Sequence, residues 1–311
     1  MKLLLAVLCA LPLLAQVAFE KKDGAVAVTI DGKPFTTFYY ATDAPKPYLY
    51  PLLTASGRNV ARGFPMEQIE GESKDHPHHR GLFFGHGDVN GCTFWDNETV
   101  NRTPHKGLIR NGVLLKAVEG KQQGVLVSRF DWLSDSGEKL LTEERVMTFS
   151  SQPGQPGQPG ARILDLDFTF TAAVKTTFGD TKEGTFAIRL ADKLAEKGGT
   201  GKMINAEGLS GMAAVWGKPS PWVDYTGTLG GETVGVTILD HPGNPKHPTY
   251  WHSRDYGLFA ANPFGERDFL KDKTRNGALT IEPGSKLRFR YRVIIHGAVD
   301  AAQLAAWFKQ Y

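Results

Sequence analysis

The chain has 311 residues, of which 41% are hydrophobic and 22% charged, and its formal net charge is +3. This is globular composition, which excludes global disorder and allows a sizeable core. A charge so near neutral gives no electrostatic case for nucleic acid, and the length allows one large β domain or two ordinary ones.

The opening "MKLLLAVLCALPLLAQVAFE" places Lys2 before an apolar run from Leu3 to Leu14. It reads as a secretory signal peptide over residues 1–15, with Ala15 the first cleavage choice and Ala18 the second. The run is shorter than the roughly 20 apolar residues of a membrane-spanning helix. Export to the periplasm or beyond is therefore expected, with no transmembrane segment in the mature chain. Leu8 is too bulky for a lipobox before Cys9, so Cys9 leaves with the leader. Cys92 then stands alone, without an internal disulfide, and reads as a small buried side chain. Loss of Lys2 lowers the formal charge from +3 to +2.

Period-two alternation dominates the remainder. "AVAVTIDGKPFTTFYY" predicts two strands around an Asp31-Gly32 turn. "GVLVSRFDWLSDSGEKLLTEERVMTFS" predicts a second hairpin, turning between Ser134 and Glu138. "QPGQPGQPG", residues 152–160, is a triplet repeat too short for a collagen helix and reads as an exposed hairpin loop. "RILDLDFTFTAA" follows, with Ile163, Leu164, Leu166, Phe168 and Phe170 set against Asp165, Asp167, Thr169 and Thr171. "GTFAIRLAD", "ETVGVTILD" and "GALTIEPGSKLRFRYRVIIHG" continue the pattern, the last with a Pro283-Gly284 turn between two strands. Helical signals are few: one short turn in "ADKLAEKGG", and "DAAQLAAWFKQY" with Asp300 as N-cap. Many strands without crossover helices predict antiparallel β, a sandwich or barrel, in a single domain over residues 16–311.

Seven histidines gather in two windows rich in Pro and Gly. "DHPHHRGLFFGHGD" holds His76, His78, His79 and His86; "DHPGNPKHPTYWHSRDYG" holds His241, His247 and His252. Loops on a rigid β scaffold are where sites concentrate. Three readings of the first window stay open. As a metal site it would use His76, His78, His86 and Asp88, although the spacing matches no zinc signature. As a polar ligand pocket it would use the histidines for proton transfer, Arg80 as a fork and Asp88 as an acceptor. As a plain loop its histidines would bond to backbone carbonyls and Arg80 would pair with Asp75. In the second window Trp251, His252 and Arg254 suit a sugar, and Asn262 is a turn-former or a ligand contact. Glu183, with Arg189 and Asp192 beyond it, is a candidate acid or base that also fits an ordinary turn. There is no G-x-S-x-G, P-loop or dinucleotide fingerprint.

"DHPHHRGLFFGHGDVNGCTFWD", "KEGTFAIRLAD", "DHPGNPKHPTYWHSRDYGLFAANPFG" and the closing "LRFRYRVIIHG" occur in order. Over roughly residues 20–310 the chain resembles the secreted bacterial family of unknown function labelled "methane oxygenase PmoA". The membrane subunit that shares this label is an integral membrane protein, whereas this chain reads as β without a span, and the resemblance implies no catalytic residues. The antiparallel pattern, "PGSKLRFRYRVIIHG" and the loop histidines are also similar to the galactose mutarotase-like supersandwich. That fold serves epimerases, polysaccharide lyases and glycosidases; in the epimerases a histidine acid and a glutamate base act on the sugar.

The expectation is thus an all-β protein, an antiparallel β-supersandwich (galactose mutarotase-like) with a short C-terminal helix, exported and carbohydrate-active. Catalysis would fall to His76, His78, His79, His86 or His252, acting as acid or base on a sugar or a uronic-acid-containing glycan. Arg80, Asp88, Trp251, Arg254 and Asn262 would bind substrate, with Arg80 or Arg254 neutralising a carboxylate or oxyanion. The alternatives are a metal-dependent hydrolase or oxygenase using the same histidines with a divalent metal, and a non-catalytic glycan-binding module. The partner is a small molecule or glycan, and not nucleic acid.

Overall fold

The computed structural model describes residues 16–154 and 160–311. The expected signal peptide and most of the QPG loop lie outside the described residues. The strands follow in chain order: β1 (Val17–Lys22), β2 (Ala25–Ile30), β3 (Lys33–Tyr39), β4 (Tyr48–Leu52), β5 (Leu82–His86), β6 (Leu108–Val118), β7 (Gln123–Leu133), β8 (Lys139–Gln152) and β9 (Ala161–Ala172). Then come β10 (Thr176–Phe178), β11 (Gly184–Arg189), β12 (Lys202–Asn205), β13 (Trp222–Leu229), β14 (Glu232–Asp240), β15 (Tyr250–Trp251), β16 (Leu258–Asn262), β17 (Leu279–Ile281) and β18 (Lys286–His296).

They form the expected antiparallel β-supersandwich. One eight-stranded sheet has the order β1-β2-β3-β4-β5-β11-β16-β15, and the other β12-β13-β14-β18-β9-β8-β7-β6. The predicted hairpins are present, β2–β3 around Asp31-Gly32 and β7–β8 closed by Ser134 N donating to Glu138 O. Gln152 and Ala161, the flanks of the QPG segment, are register partners of β8 and β9.

Alternation explains the layers. On β9, Leu164, Leu166, Phe168 and Phe170 are buried. Ile163 shares the other face with Asp165 and Asp167, whose carboxylates accept from Arg292 (2.6 Å) and Arg288 (2.8 Å) of β18. The apolar faces of the two sheets meet through Phe84 against Phe168, with ring centroids 4.7 Å apart, and Phe186 stacked on Tyr291 at 4.5 Å. Strands β5, β11 and β16 are buried along their whole length, so the first sheet is covered on its outer face as well. That outer cover is the loop segments that carry the histidine windows.

The helical elements are small. The turn in "ADKLAEKGG" is a 3₁₀ turn, Asp192–Leu194. Two four-residue helices, α1 (Met212–Val215) and α2 (Glu266–Phe269), are too short to show periodicity in the sequence. The C-terminal helix α3 (Ala301–Lys309) is capped as expected, Asp300 Oδ1 accepting from Gln303 N at 2.8 Å. The Pro283-Gly284 turn lies between two strands, as expected. β17 and β18 flank the Pro283-Gly284 turn but are not ladder partners; β17 pairs instead with β10 in a two-stranded sheet of its own.

Candidate active site

The "DHPHH" segment folds into a turn, His79 N donating to His76 O at 3.0 Å, with Pro77 at the position its ring favours. The turn brings the imidazoles of His76 and His79 into a parallel stack at 4.9 Å, and Tyr256 stacks on the other face of His76 at 5.3 Å. His78 meets His79 edge-on at 4.3 Å. Gly81 then enters β5 at φ +53°, where a Cβ would stand 2.1 Å from Leu49 O, so only glycine fits.

Four chain segments converge here, over the outer face of the first sheet. The turn itself supplies His76, His78 and His79. The segment after β5 supplies Trp95, whose ring lies 5.5 Å from His79, and Asp96, whose Oδ1 is 3.0 Å from His78 Nδ1. β11 supplies Arg189 at its end and Glu183 just before its start. The β15–β16 connection supplies His252, Arg254 and Tyr256, with Arg189 4.7 Å and Arg254 5.7 Å from the Tyr256 ring centre. Ala187 and Ala260, register partners on β11 and β16, add only a methyl each beneath them.

Hydrogen bonds fix the roles of the ring nitrogens. Arg189 Nη1 has only hydrogens to offer, so at 3.3 Å from His79 Nδ1 it donates, and the His79 proton sits on Nε2. That Nε2 is buried without a partner among the described residues. Trp216 Nε1 donates to His252 Nδ1 at 3.0 Å, which likewise places the His252 proton on Nε2. His78 differs: its Nδ1 lies 3.0 Å from Asp96 Oδ1 and 3.2 Å from the Asn101 side-chain amide, so an acceptor and a donor meet at the same nitrogen.

The electrostatics agree with neutral rings. Burial drives His252 down to about 4 against the opposing pull of Glu183. Burial lowers His78 despite Asp96, and drives His79 well below the ordinary imidazole value with help from His78 and Arg189. Burial pushes the Glu183 carboxyl up, but His252, Lys182 and His78 together outweigh it and hold the group below its ordinary value. Glu183 therefore stands as a carboxylate beside neutral imidazoles. Asp96 is held well below the usual range, first by its bond to His78.

Supporting groups lock these positions. Asn262 donates to Thr181 O (3.0 Å) and Lys182 O (2.9 Å), fixing the backbone just before Glu183. Gly87 N donates to Glu183 O at 2.7 Å, an approach that leaves no room for a side chain at Gly87. Buried Lys46 donates to Trp95 O (2.8 Å) and Asn97 Oδ1 (2.7 Å), and its burial lowers it to about 7. Asp192 accepts from Ser73 N and Oγ, tying the histidine turn to the end of β11.

The structure thus brings together His76, His78, His79, His252 and Arg254. Five other expected site residues lie elsewhere. His86 shares its face of β5 with Phe84; it points between the sheets, packs on Phe178 and Phe264, and bonds through Nε2 to Gly179 O at 2.8 Å. Trp251 is wholly buried against Phe259, its indole N–H donating to Ser220 O, so it is core and not a sugar-facing wall. Arg80 is held in a fork by Glu98 (2.6 and 3.1 Å) and does not pair with Asp75. Asp88 accepts from Gly91 N in its own turn, and Asn262 is a scaffold residue. The ligand set His76, His78, His86 and Asp88 consequently does not converge. Among the described residues no three His, Cys, Asp or Glu side chains are grouped to hold a metal. Tyr256, Asp96 and Trp95 were not legible as site residues.

A family model described as a family of unknown function (DUF6807) matches residues 25–309. No curated protein matches the chain. Among solved structures it is similar to the α-galactosidase from Lactobacillus brevis (9% identity, TM-score 0.39, covering 93% of this chain and 40% of that one). It is also similar to the Slr1438 protein from Synechocystis sp. PCC 6803 (10% identity, TM-score 0.35, covering 91% and 96%). A third is the GH36 α-galactosidase AgaA from Geobacillus stearothermophilus in complex with stachyose (7% identity, TM-score 0.36, covering 91% and 40%). The chain spans about two fifths of the length of each α-galactosidase.

Proposed function

Because the chain belongs to DUF6807, a family of unknown function, its chemistry has to be read from the site, and we propose that it acts on a carbohydrate by histidine-mediated acid/base chemistry. The substrate would be a sugar or a uronic-acid-containing glycan. One observation carries the reading: the Glu183 carboxylate, two imidazoles whose protons are placed on Nε2 (His79 and His252) and the Asp96-paired His78 gather over the same face of the sheet. His78, backed by Asp96, and the Glu183 carboxylate are the acceptors. His79 and His252 hold N–H groups toward an oxygen that gains charge as a proton leaves its neighbour. A neutral imidazole placed as donor suits that task, since it polarises an oxygen without bringing a full charge. Epimerase, lyase and hydrolase steps all begin from this arrangement. The same proposal places the protein in the periplasm or outside the cell, on the reading of residues 1–15 as a leader. Among the described residues no helix is long and apolar enough to cross a membrane.

The test is a screen of mono- and oligosaccharides and their uronic acids, followed by NMR for new anomeric or unsaturated products. Glu183→Gln and His78→Gln should each lower turnover by about 10²–10⁴-fold with the circular dichroism unchanged. Full turnover in both variants overturns the assignment. Binding without product, unaffected by Glu183→Gln, would make the protein a glycan-binding module instead.

A further inference from the structure

The guanidiniums around the histidine turn are unevenly paired. Arg62 and Arg189 are both buried, and both bond to one carboxylate oxygen, Asp75 Oδ1, at 2.8 Å for Arg189 Nη2. Two guanidiniums therefore share one hydrogen-bonded carboxylate, with Asp192 and Glu72 acting on Arg62 from farther off. Arg254, 5.7 Å from the centre of the same Tyr256 ring that Arg189 approaches, has no ion pair and no side-chain hydrogen bond among the described residues. Its Nε and that of Arg189 are buried without an acceptor, as is the Nε2–H of His79. Glu183, the nearby carboxylate of the site, is already paired with Lys182. The histidines are neutral and offset nothing.

A guanidinium withdrawn from water without an acceptor is costly, and the cost is removed when an anion arrives. Its planar fork matches the two oxygens of a carboxylate better than it matches scattered hydroxyls. We propose that Arg254 and Arg189 form a carboxylate-binding subsite, so that the substrate is a uronic acid rather than a neutral sugar. This rests on the carbohydrate reading above and selects within it. It also reassigns the expected fork: Arg80 is closed by Glu98, whereas Arg254 is open. Arg254 binds the carboxylate, Arg189 and the His79 N–H complete its cradle, and Glu183 and His78 stand over the ring carbons.

Calorimetric titration of the full chain at pH 7 with galacturonate and glucuronate, each against its neutral sugar and against galactose 6-sulfate, tests this. At least one uronate should bind ten times or more tighter than its neutral partner. Arg254→Gln should remove that preference, and Arg254→Lys, which keeps the charge but loses the fork, should keep part of it. If Arg254→Gln does not fold, the wild-type preference and the Lys variant still decide. Equal binding of neutral sugar and uronate overturns the subsite but leaves the carbohydrate reading standing. Tighter binding of the sulfate overturns the carboxylate assignment. Binding of none of these sugars overturns both.

Discussion

In the proposed acceptor role, Asp96 holds the His78 proton on Nδ1 against the Asn101 amide, 3.2 Å from the same nitrogen. Its Oδ1 lies 3.0 Å from Nδ1, and Asn101 and Thr103 hold the carboxylate in place. Asp96→Asn would present an amide N–H to Nδ1 and move the proton to Nε2, turning the acceptor into a donor. Turnover should fall by roughly 10²–10⁴-fold, the range for a lost general base, while binding changes little; a fall in binding with turnover intact would refute the tautomer role. This residue also shows where sequence reading stops. His76, His78, His79, His252 and Arg254 were legible because titratable side chains in Pro- and Gly-rich loops have few structural duties there. His86 was misjudged because its imidazole type says nothing about which face of β5 it occupies, and that face is set by Phe84. Arg80 was misjudged because its partner, Glu98, lies 18 residues away across a loop. Tyr256 gave no signal, being one aromatic among many until Arg189 and Arg254 are seen beside its ring.

Elements were more legible than residues because a strand's alternation is local. The hairpins at Asp31-Gly32 and Ser134–Glu138 carry their own turn residues, and β9 displays its buried face in every second position. The turn at Pro283-Gly284 was legible, but the pairing of its strands was not. A turn motif specifies the bend but not which strand becomes the neighbour, and β17 found β10 more than a hundred residues away. The helix α3 was legible through its cap. Its Leu304 and Trp307 pack with Trp222 and Ile294 on the outer face of the second sheet. Asp300→Ala leaves the Gln303 amide without that acceptor and should cost about 1 kcal/mol in urea unfolding. A change below a few tenths would mean that tertiary packing alone holds the helix.

At the scale of the whole molecule, the site and the core share a dependence on neutral histidine. His86 and His252 are each held at about 4, first by burial, and His79 lies well below its ordinary value. The unfolded chain takes up these protons near pH 6.5, the folded one only near 4, so the unfolded state binds more protons in between. Stability must then rise with pH across that window and fall on acidification from 6.5 to 4, by up to about 3 kcal/mol for each of His86 and His252 at about 1.4 kcal/mol per pKa unit. Thermal unfolding at pH 7, 5.5 and 4.5 measures it; a flat melting temperature would contradict neutral buried rings. The small sheet of β10 and β17 has a mechanical consequence at this scale. The chain crosses from the second sheet to the first through β10, and from the first back to the second through β17. The two crossings are buttoned together like a clasp, so the sheets cannot shear past each other at that end without tearing it. Glu183 follows the clasp by five residues, so the strand that carries it enters the first sheet from an anchored point.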